Sequence, residues 1–447
     1  MKIRIYTLAL LLIVVLKVYS QGNIMLRKEQ AVSDIDSLVF AISEVHPNMF
    51  SACKQGEFFK MANDIKESLP DSVSAWQLYV VLQPLIVKIG DGHTSLMFPY
   101  NDVLKDNTPR IPLNLTVTEE GKLQVVFAVE NQIPAKSEIL SINGVTVQEM
   151  FQNMLAYQSG ETEAFKINRV QDDFYGFFFI LYPADTYNIE YIEPGKTKSS
   201  NISLKACLNR EYFDWKSKTQ PSTTTTFREP YSFQIMPEKN VAIMDFNSFY
   251  NPTQMEQFAD SMFNALRQHN INNLIIDVRE NGGGSSQVGD IMLSYISDKP
   301  FCQYEKYIAR VTPSTQRLLR RKMDIGWYYG ECSPEDYIKP KTMEEGHFNG
   351  NVYLLTSTHS FSAAASFSWT FKEFGMGKVI GEETGGICIS FGDVLMYQMP
   401  YSKLTASISY KQFWQYNADE NHIHGTIPDY CVPRENALSK ALELCNP

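Results

Sequence analysis

Apolar residues recur at helical spacing from Ser33 onward. Ile35, Leu38, Ile42 and Val45 share one face, Ser33 is suited to cap that face, and His46-Pro47 stops it. Two more helices are predicted, one over roughly 58–69 and one over roughly 75–89, the second with Pro84 inside it and Gly90-Asp91-Gly92 at its end. After His93-Thr94 the period changes. Short β-rich runs over 123–129 and 138–145 precede a helical stretch over 147–157, and the polar, Thr-rich segment 199–230 reads as a connection. From Val241 the two periods alternate, with strands over 241–246, 273–279, 352–356 and 379–381 and helices over 253–269, 285–296 and 362–374. Buried strands alternating with amphipathic helices predict a largely parallel sheet covered on its faces.

At 447 residues the chain is too long for one core, so two or three domains are expected. Hydrophobic residues at 44% and charged residues at 20% describe a folded chain rather than a disordered one. The balance of 40 basic against 50 acidic residues gives a formal charge of −10, which excludes nucleic acid and anionic lipid as expected partners. Lys2 and Arg4, the apolar run from Thr7 to Leu16 and Val18-Tyr19-Ser20 have the pattern of a secretory signal, so the mature chain is expected to begin near Gln21 and to be secreted or periplasmic. Lys17 closes the apolar run at about half the length of a membrane span, and no cysteine follows for lipid attachment. No membrane span is expected after signal removal. The seven cysteines show no C-x-x-C spacing, which argues against a zinc ribbon or a dithiol redox pair.

Three short stretches sit where an α/β architecture places active sites, at strand ends and helix starts. In Asp277-Val278-Arg279-Glu280-Asn281-Gly282-Gly283-Gly284 a strand runs into glycines whose N–H groups can approach an anion; the stretch also reads as a plain tight turn, and it lacks the Lys-Ser/Thr of a nucleotide loop. In the run from Leu355 to Ala365, Ser362 falls in the first helical turn beside unpaired N–H groups, a position equally natural for a capping serine. His359 nearby is a candidate base by closeness in sequence, but catalytic partners are usually brought together by the fold, and it also reads as a surface loop residue. In Gly90-Asp91-Gly92-His93-Thr94 a histidine follows a helix end. His422 and His424, two apart on an expected strand, could approach Cys388 or His93, but no third ligand at a metal-site spacing accompanies them, so neither metal nor cofactor is expected.

These motifs occur in an order. His46-Pro47, Gly-Asp-Gly-His-Thr, Asp-x-Arg-x-Asn-Gly-Gly-Gly, Ser360-Phe361-Ser362-Ala363-Ala364, Gly381-Glu382-Glu383-Thr384-Gly385-Gly386 and Gly425-Thr426-Ile427-Pro428-Asp429 resemble the C-terminal-processing (tail-specific) and tricorn-like serine peptidases over nearly all of the mature chain. Ile133 to Gly144, with its Ile139-Leu140-Ser141-Ile142-Asn143-Gly144 strand and turn, resembles part of a PDZ-like module. The resemblance implies an α/β fold in which a crotonase- or Clp-protease-like catalytic domain (232–447) follows a signal peptide (1–20), an N-terminal helical cap (21–95), a PDZ-like β-rich middle domain (96–200) and a linker (201–231).

Carried onto this chain, the resemblance makes Ser362 the nucleophile and puts the oxyanion donors on the backbone of Ala363 and Gly283. One branch of the family uses a lysine base, but Ile387 and Cys388 stand at that position. The other branch uses a histidine, which falls on His93. Its orienting glutamate falls near Glu420, with Asp419 and His422 as the alternatives. The implied activity is cleavage of unfolded polypeptides or C-terminal tails through an acyl-enzyme. A noncatalytic peptide-binding relative would lack Ser or His, and both are present; the Gly-x-Ser-x-Gly of an esterase is absent around Ser362.

Overall fold

The computed structural model describes residues 24–100, 104–118, 120–219 and 229–445. The expected signal sequence and the threonine run at 223–226 lie outside them. No helix among the described residues is long and apolar enough to cross a membrane.

The first helix, Lys28–Val45, buries Ile35, Leu38, Ile42 and Val45 as its spacing predicts, but it starts five residues before Ser33. The cause is the short strand Met25–Arg27, which pairs antiparallel with Ser72–Ser74 and delivers the chain directly into the helix. Arg27 is the capping residue, its N–H donating to Gln30 Oε1 at 3.0 Å. Helices Gln55–Ser68 and Ala75–Val87 follow, the latter opened by a capping box between Ser74 and Gln77 and carrying Pro84 inside it.

The middle of the chain forms an antiparallel sheet with strands in the order Ser200–Lys205, Thr186–Ile192, Glu138–Ile142, Leu123–Ala128 and Leu113–Val117. The segment expected as a linker therefore departs from its reading: 200–205 is a strand registered against 186–192, and Asn209–Thr219 is a helix. Its polar sequence reflects an edge position, where alternate side chains meet water. The N-terminal helices and this sheet share one hydrophobic core, which also takes in Leu395, Met399, Leu404, Ala406 and Ile408.

The last third holds the predicted parallel sheet, with strands ordered Tyr231–Met236, Val241–Phe246, Asn273–Asp277, Asn351–Thr356, Lys378–Gly381 and Tyr430–Cys431. Only the first pair is antiparallel. Alternation along the strands sorts the two faces. Ala242, Met244, Leu274, Ile276, Val352 and Leu354 pack under helices Pro252–Gln268, Ser286–Ser294 and Ala363–Glu373. Val241, Ile243, Ile275, Tyr353 and Leu355 face helix Ala437–Cys445.

A second, antiparallel sheet orders Gly326–Glu331, Tyr304–Val311, Thr405–Gln415 and Ile389–Gln398. Strand Ser95–Met97, from the N-terminal half, joins it through Thr405–Ser407. A second tie is Asp34, fully buried on the first helix, whose carboxylate accepts the N–H groups of Tyr401 at 2.9 Å and Ser402 at 2.7 Å in the turn of this sheet. Removing a carboxylate that satisfies two buried N–H groups costs about 3 kcal/mol. Asp34→Ala is therefore expected to lower the urea midpoint clearly. Asp36→Ala, which removes a largely exposed partner of Lys66, is expected to change stability by less than about 1 kcal/mol in the same measurement.

Candidate active site

Ser362 is the capping residue of helix Ala363–Glu373 and holds φ 53°, ψ −126°, a backbone conformation that a side chain other than glycine adopts only under constraint. The constraint is visible in the turn before it. Ser360 N–H donates to Ser357 O at 2.9 Å, Ser360 Oγ donates to Val278 O at 2.7 Å, and Phe361 N–H donates to Asn281 O at 3.1 Å, so the turn is fastened to the end of strand Asn273–Asp277 and its glycine loop. That loop approaches closely. A Cβ on Gly283, whose φ is +99°, would lie 2.8 Å from Ala363 N and 2.8 Å from Ser362 Cβ. The Ala363 N–H, at the first position of the helix, has no intrahelical acceptor and sits beside Gly283 at the positive end of the helix dipole. The Gly283 N–H is turned inward, donating to Asn281 Oδ1 at 2.9 Å.

His93 is brought to this turn by the strand that follows it. Its ring stacks on Phe361, the residue before Ser362, with centroids 4.6 Å apart, and Phe361 stacks in turn on Phe165 at 4.5 Å. Neither ring nitrogen has a hydrogen-bond partner.

The carboxylate that faces the ring is Asp91, whose Oδ1 lies 3.6 Å from His93 Nδ1 and accepts the His93 N–H at 2.8 Å. Oδ2 accepts hydrogen bonds from Thr94 Oγ1 at 2.5 Å, Ser409 Oγ at 2.6 Å and His46 Nε2 at 3.3 Å. The His46 tautomer is fixed, because its Nδ1 accepts the Asn48 N–H at 3.1 Å, leaving Nε2 as the protonated nitrogen. Burial alone would raise the Asp91 pKa, but the hydrogen bonds from His46 and His93 and the charges they can carry hold it well below the ordinary carboxylate range. Burial would likewise depress His93; Asp91, and behind it Glu161 and Asp393, outweigh that and raise the imidazole above its ordinary value.

Glu161 completes the cluster. Both its oxygens are buried without a partner, and burial, with the Asp91 charge, pushes its pKa up to about 7. Gly92 makes room for it, since a Cβ there would lie 2.8 Å from Glu161 Oε2 and 2.8 Å from Phe361 Cζ.

The structure thus brings together Ser362, Ala363, Gly283 and His93 and leaves Glu420 outside. Glu420 is exposed, accepting from Trp414 Nε1 at 2.9 Å and pairing with Lys306 at 3.3 Å. Asp419 accepts from the exposed His422 at 2.8 Å, and His424 donates through Nδ1 to Gly425 O at 2.6 Å, so neither alternative to Glu420 reaches His93 and the two histidines do not converge on a metal position. All three candidates, Asp419, Glu420 and His422, lie in a surface turn between 416 and 424. His359 also departs from its reading as a surface residue. It is buried, hydrogen-bonded to Asp172, and its Nδ1 accepts from Arg434 Nη1 at 2.8 Å. Asp91 stands two residues before His93 in a Gly-Asp-Gly that reads as a turn, and nothing in the sequence singles out Glu161.

A strained serine at a helix start, an unpaired N–H beside it and a histidine backed by a buried carboxylate are the parts of a serine-type peptidase. The profile of peptidase family S41 matches residues 240–432, and the chain is a serine-type peptidase. Among solved structures, mature CPAF complexed with lactacystin is similar at 14% identity and TM-score 0.64, covering 93% of this chain and 96% of that one. Mature CPAF alone gives 14%, 0.63, 93% and 95%. These likenesses show a shared fold. The photosystem II D1 C-terminal processing protease aligns over 94% of this chain and 97% of its own at 14% identity, with TM-score 0.43.

The approach of Gly283 to Ser362 is testable. Gly283→Ala is expected to lower casein hydrolysis by at least about 100-fold, the scale of a lost oxyanion donor, while circular dichroism shows the fold retained. Gly282→Ala, whose new Cβ would meet nothing within 4 Å, is expected to stay near the wild-type rate.

Proposed function

We propose that the chain is an exported serine endopeptidase that cleaves unfolded polypeptides or C-terminal tails, with Ser362 as nucleophile, His93 as general base and Asp91, in place of Glu420, as the carboxylate that orients the base. The observation that carries this reading is the stack of His93 on Phe361 directly before the strained Ser362, with Asp91 at 3.6 Å from Nδ1. A proton on Nδ1 directed at Asp91 leaves Nε2 to accept the Ser362 hydroxyl proton as Oγ attacks the peptide carbonyl. The oxyanion that forms is held by the Ala363 N–H and by a loop N–H once the Gly283 turn opens from Asn281. His93 then protonates the leaving amine, and water releases the acyl group from Ser362 by the reverse sequence. Export rests on the pattern of residues 2–20.

Supply of an extended substrate is supported by Leu113–Val117, the terminal strand of the middle sheet, which among the described residues has a partner on one side only. Thr116 and Val117 border a cleft of about 430 Å³ that is also lined by His359 and Arg434. An extended chain can add to such an edge through its backbone, as in PDZ-like capture.

The test is a fluorophosphonate probe and unfolded casein, each with wild type and Ser362→Ala, read by intact mass and by peptide release. An adduct and cleavage in wild type are expected, with the variant unlabelled and its rate down by on the order of 10⁴ or more. Labelling in both proteins, or in neither while both are folded, rejects Ser362.

The pH dependence follows from the sign of the His93 shift. The base works when neutral, and its pKa is raised above about 6.5, so kcat/KM is expected to rise through a midpoint above that value. Asp91→Asn removes the charge that raises it, so the midpoint is expected to move down while the plateau falls by about 10²- to 10⁴-fold. An unmoved midpoint would show that Asp91 serves the fold alone.

A further inference from the structure

Four buried ligand-type atoms sit together without a hydrogen-bond partner inside 3.5 Å: both ring nitrogens of His93, with Asp91 Oδ1 3.6 Å from Nδ1, and both carboxylate oxygens of Glu161. Buried polar atoms are nearly always paired, and a carboxylate held out of water without a donor is costly. Peptide hydrolysis by Ser362 and His93 asks nothing of Glu161 beyond its charge near the imidazole. One ligand atom each from Asp91, His93 and Glu161 lie within 4.8 Å of one another.

We propose that Asp91, His93 and Glu161 form a binding site for a divalent transition-metal ion of the zinc class, and that the ion holds the peptidase inactive by occupying the base. The effect on activity rests on His93 being that base; the binding does not.

The donor set suits the ion, because an imidazole with two carboxylate oxygens and an open fourth position is a common arrangement for zinc. Ligands of a tetrahedral ion bound at about 2.1 Å lie roughly 3.4 Å apart, so the three atoms need to close by no more than about 1.4 Å. Gly92 is the element that allows Glu161 and His93 this proximity. Around the site the support is already built. Asp91 Oδ2 is fixed by His46, Thr94 and Ser409, while Oδ1, which carries only the His93 N–H, keeps a lone pair toward the ring. Outer hydrogen bonds of this kind orient a ligating carboxylate. The charge also fits, since two buried carboxylates face one imidazole and a dication neutralises them. With the ion on His93 the imidazole lone pair is taken, so the Ser362 proton has no acceptor. Bound ion and proton compete for His93 and Glu161, and occupancy is therefore lower in acid.

The experiment separates binding from activity. Metal-free Ser362→Ala is titrated with Zn²⁺ by calorimetry and with Co²⁺ by visible absorption. One ion per chain and a tetrahedral Co²⁺ spectrum are expected. In Ser362→Ala/Glu161→Gln, Zn²⁺ affinity is expected to fall at least about tenfold, the scale of a lost supporting carboxylate, with circular dichroism unchanged. In the wild-type enzyme Zn²⁺ is expected to suppress casein hydrolysis, a chelator to restore it, and Glu161→Gln to need at least about tenfold more Zn²⁺ for half-inhibition. No saturable binding to Ser362→Ala, or binding indifferent to Glu161→Gln, overturns the site; the latter would put the ion on thiols or surface histidines. Binding that depends on Glu161 but leaves hydrolysis untouched overturns the inhibition. Absence of hydrolysis in metal-free wild type would reject the peptidase reading, while ion stoichiometry in Ser362→Ala still decides the site.

Discussion

A carboxylate with no access to water needs donors on every side, and Asp91 takes them from parts of the chain that are far apart in sequence. His46 closes the first helix, Thr94 and the His93 amide belong to the turn that follows the third, and Ser409 lies on a strand near the far end of the chain. Each donor is needed to keep the charge buried, and so each segment is held in register with the others. The position of His93 follows from this requirement. Its main chain is bonded to Asp91, and its carbonyl accepts from Ser407, the strand residue paired with Ser95. His93 is thus set by a polar lock, and the apolar stack on Phe361 then fixes the plane of its ring.

Ser362 is positioned by the opposite means. Ser362 is forced into a disfavoured backbone conformation because the residues on either side are not free to move: Ser360 and Phe361 are bonded to the loop at 278–281, and Ala363 begins a helix buried on nearly all sides. Strain persists where surroundings over-determine it. Gly283 and Gly386 are the places where the surroundings come closest, and any side chain there would meet the Ser362 turn.

Legibility in the sequence tracked periodicity. Four strands of the parallel sheet, Val241–Phe246 to Lys378–Gly381, and the three helices on one face could be placed within a few residues, because long apolar runs and clear stripes mark them; the two-residue strand Tyr430–Cys431 and helix Ala437–Cys445 went unread. The start of the first helix was misplaced because Ser33 looks like a cap, whereas pairing of Met25–Arg27 with Ser72–Ser74, invisible locally, decides where the helix begins. The 199–230 segment looked like a linker because an edge strand is polar on alternate residues and short. In the site, Ser362 and His93 were readable only as members of an ordered set of motifs. Asp91 was in plain view inside one of those motifs but resembled a turn residue, since burial, which makes its charge matter, leaves no mark on the sequence. Glu420 was read as the nearest carboxylate before the last motif, and nearness along the chain does not say where a surface turn points.

Strand Ser95–Met97 and the Asp91 lock both depend on residues that come after the nucleophile in the chain: Thr405 to Ser407 pair with the strand, and Ser409 closes the lock. During synthesis the chain therefore possesses its serine and its histidine well before it possesses the pieces that hold them to each other. A ribosome-bound or truncated chain ending before Ser409 carries the reactive groups without their alignment.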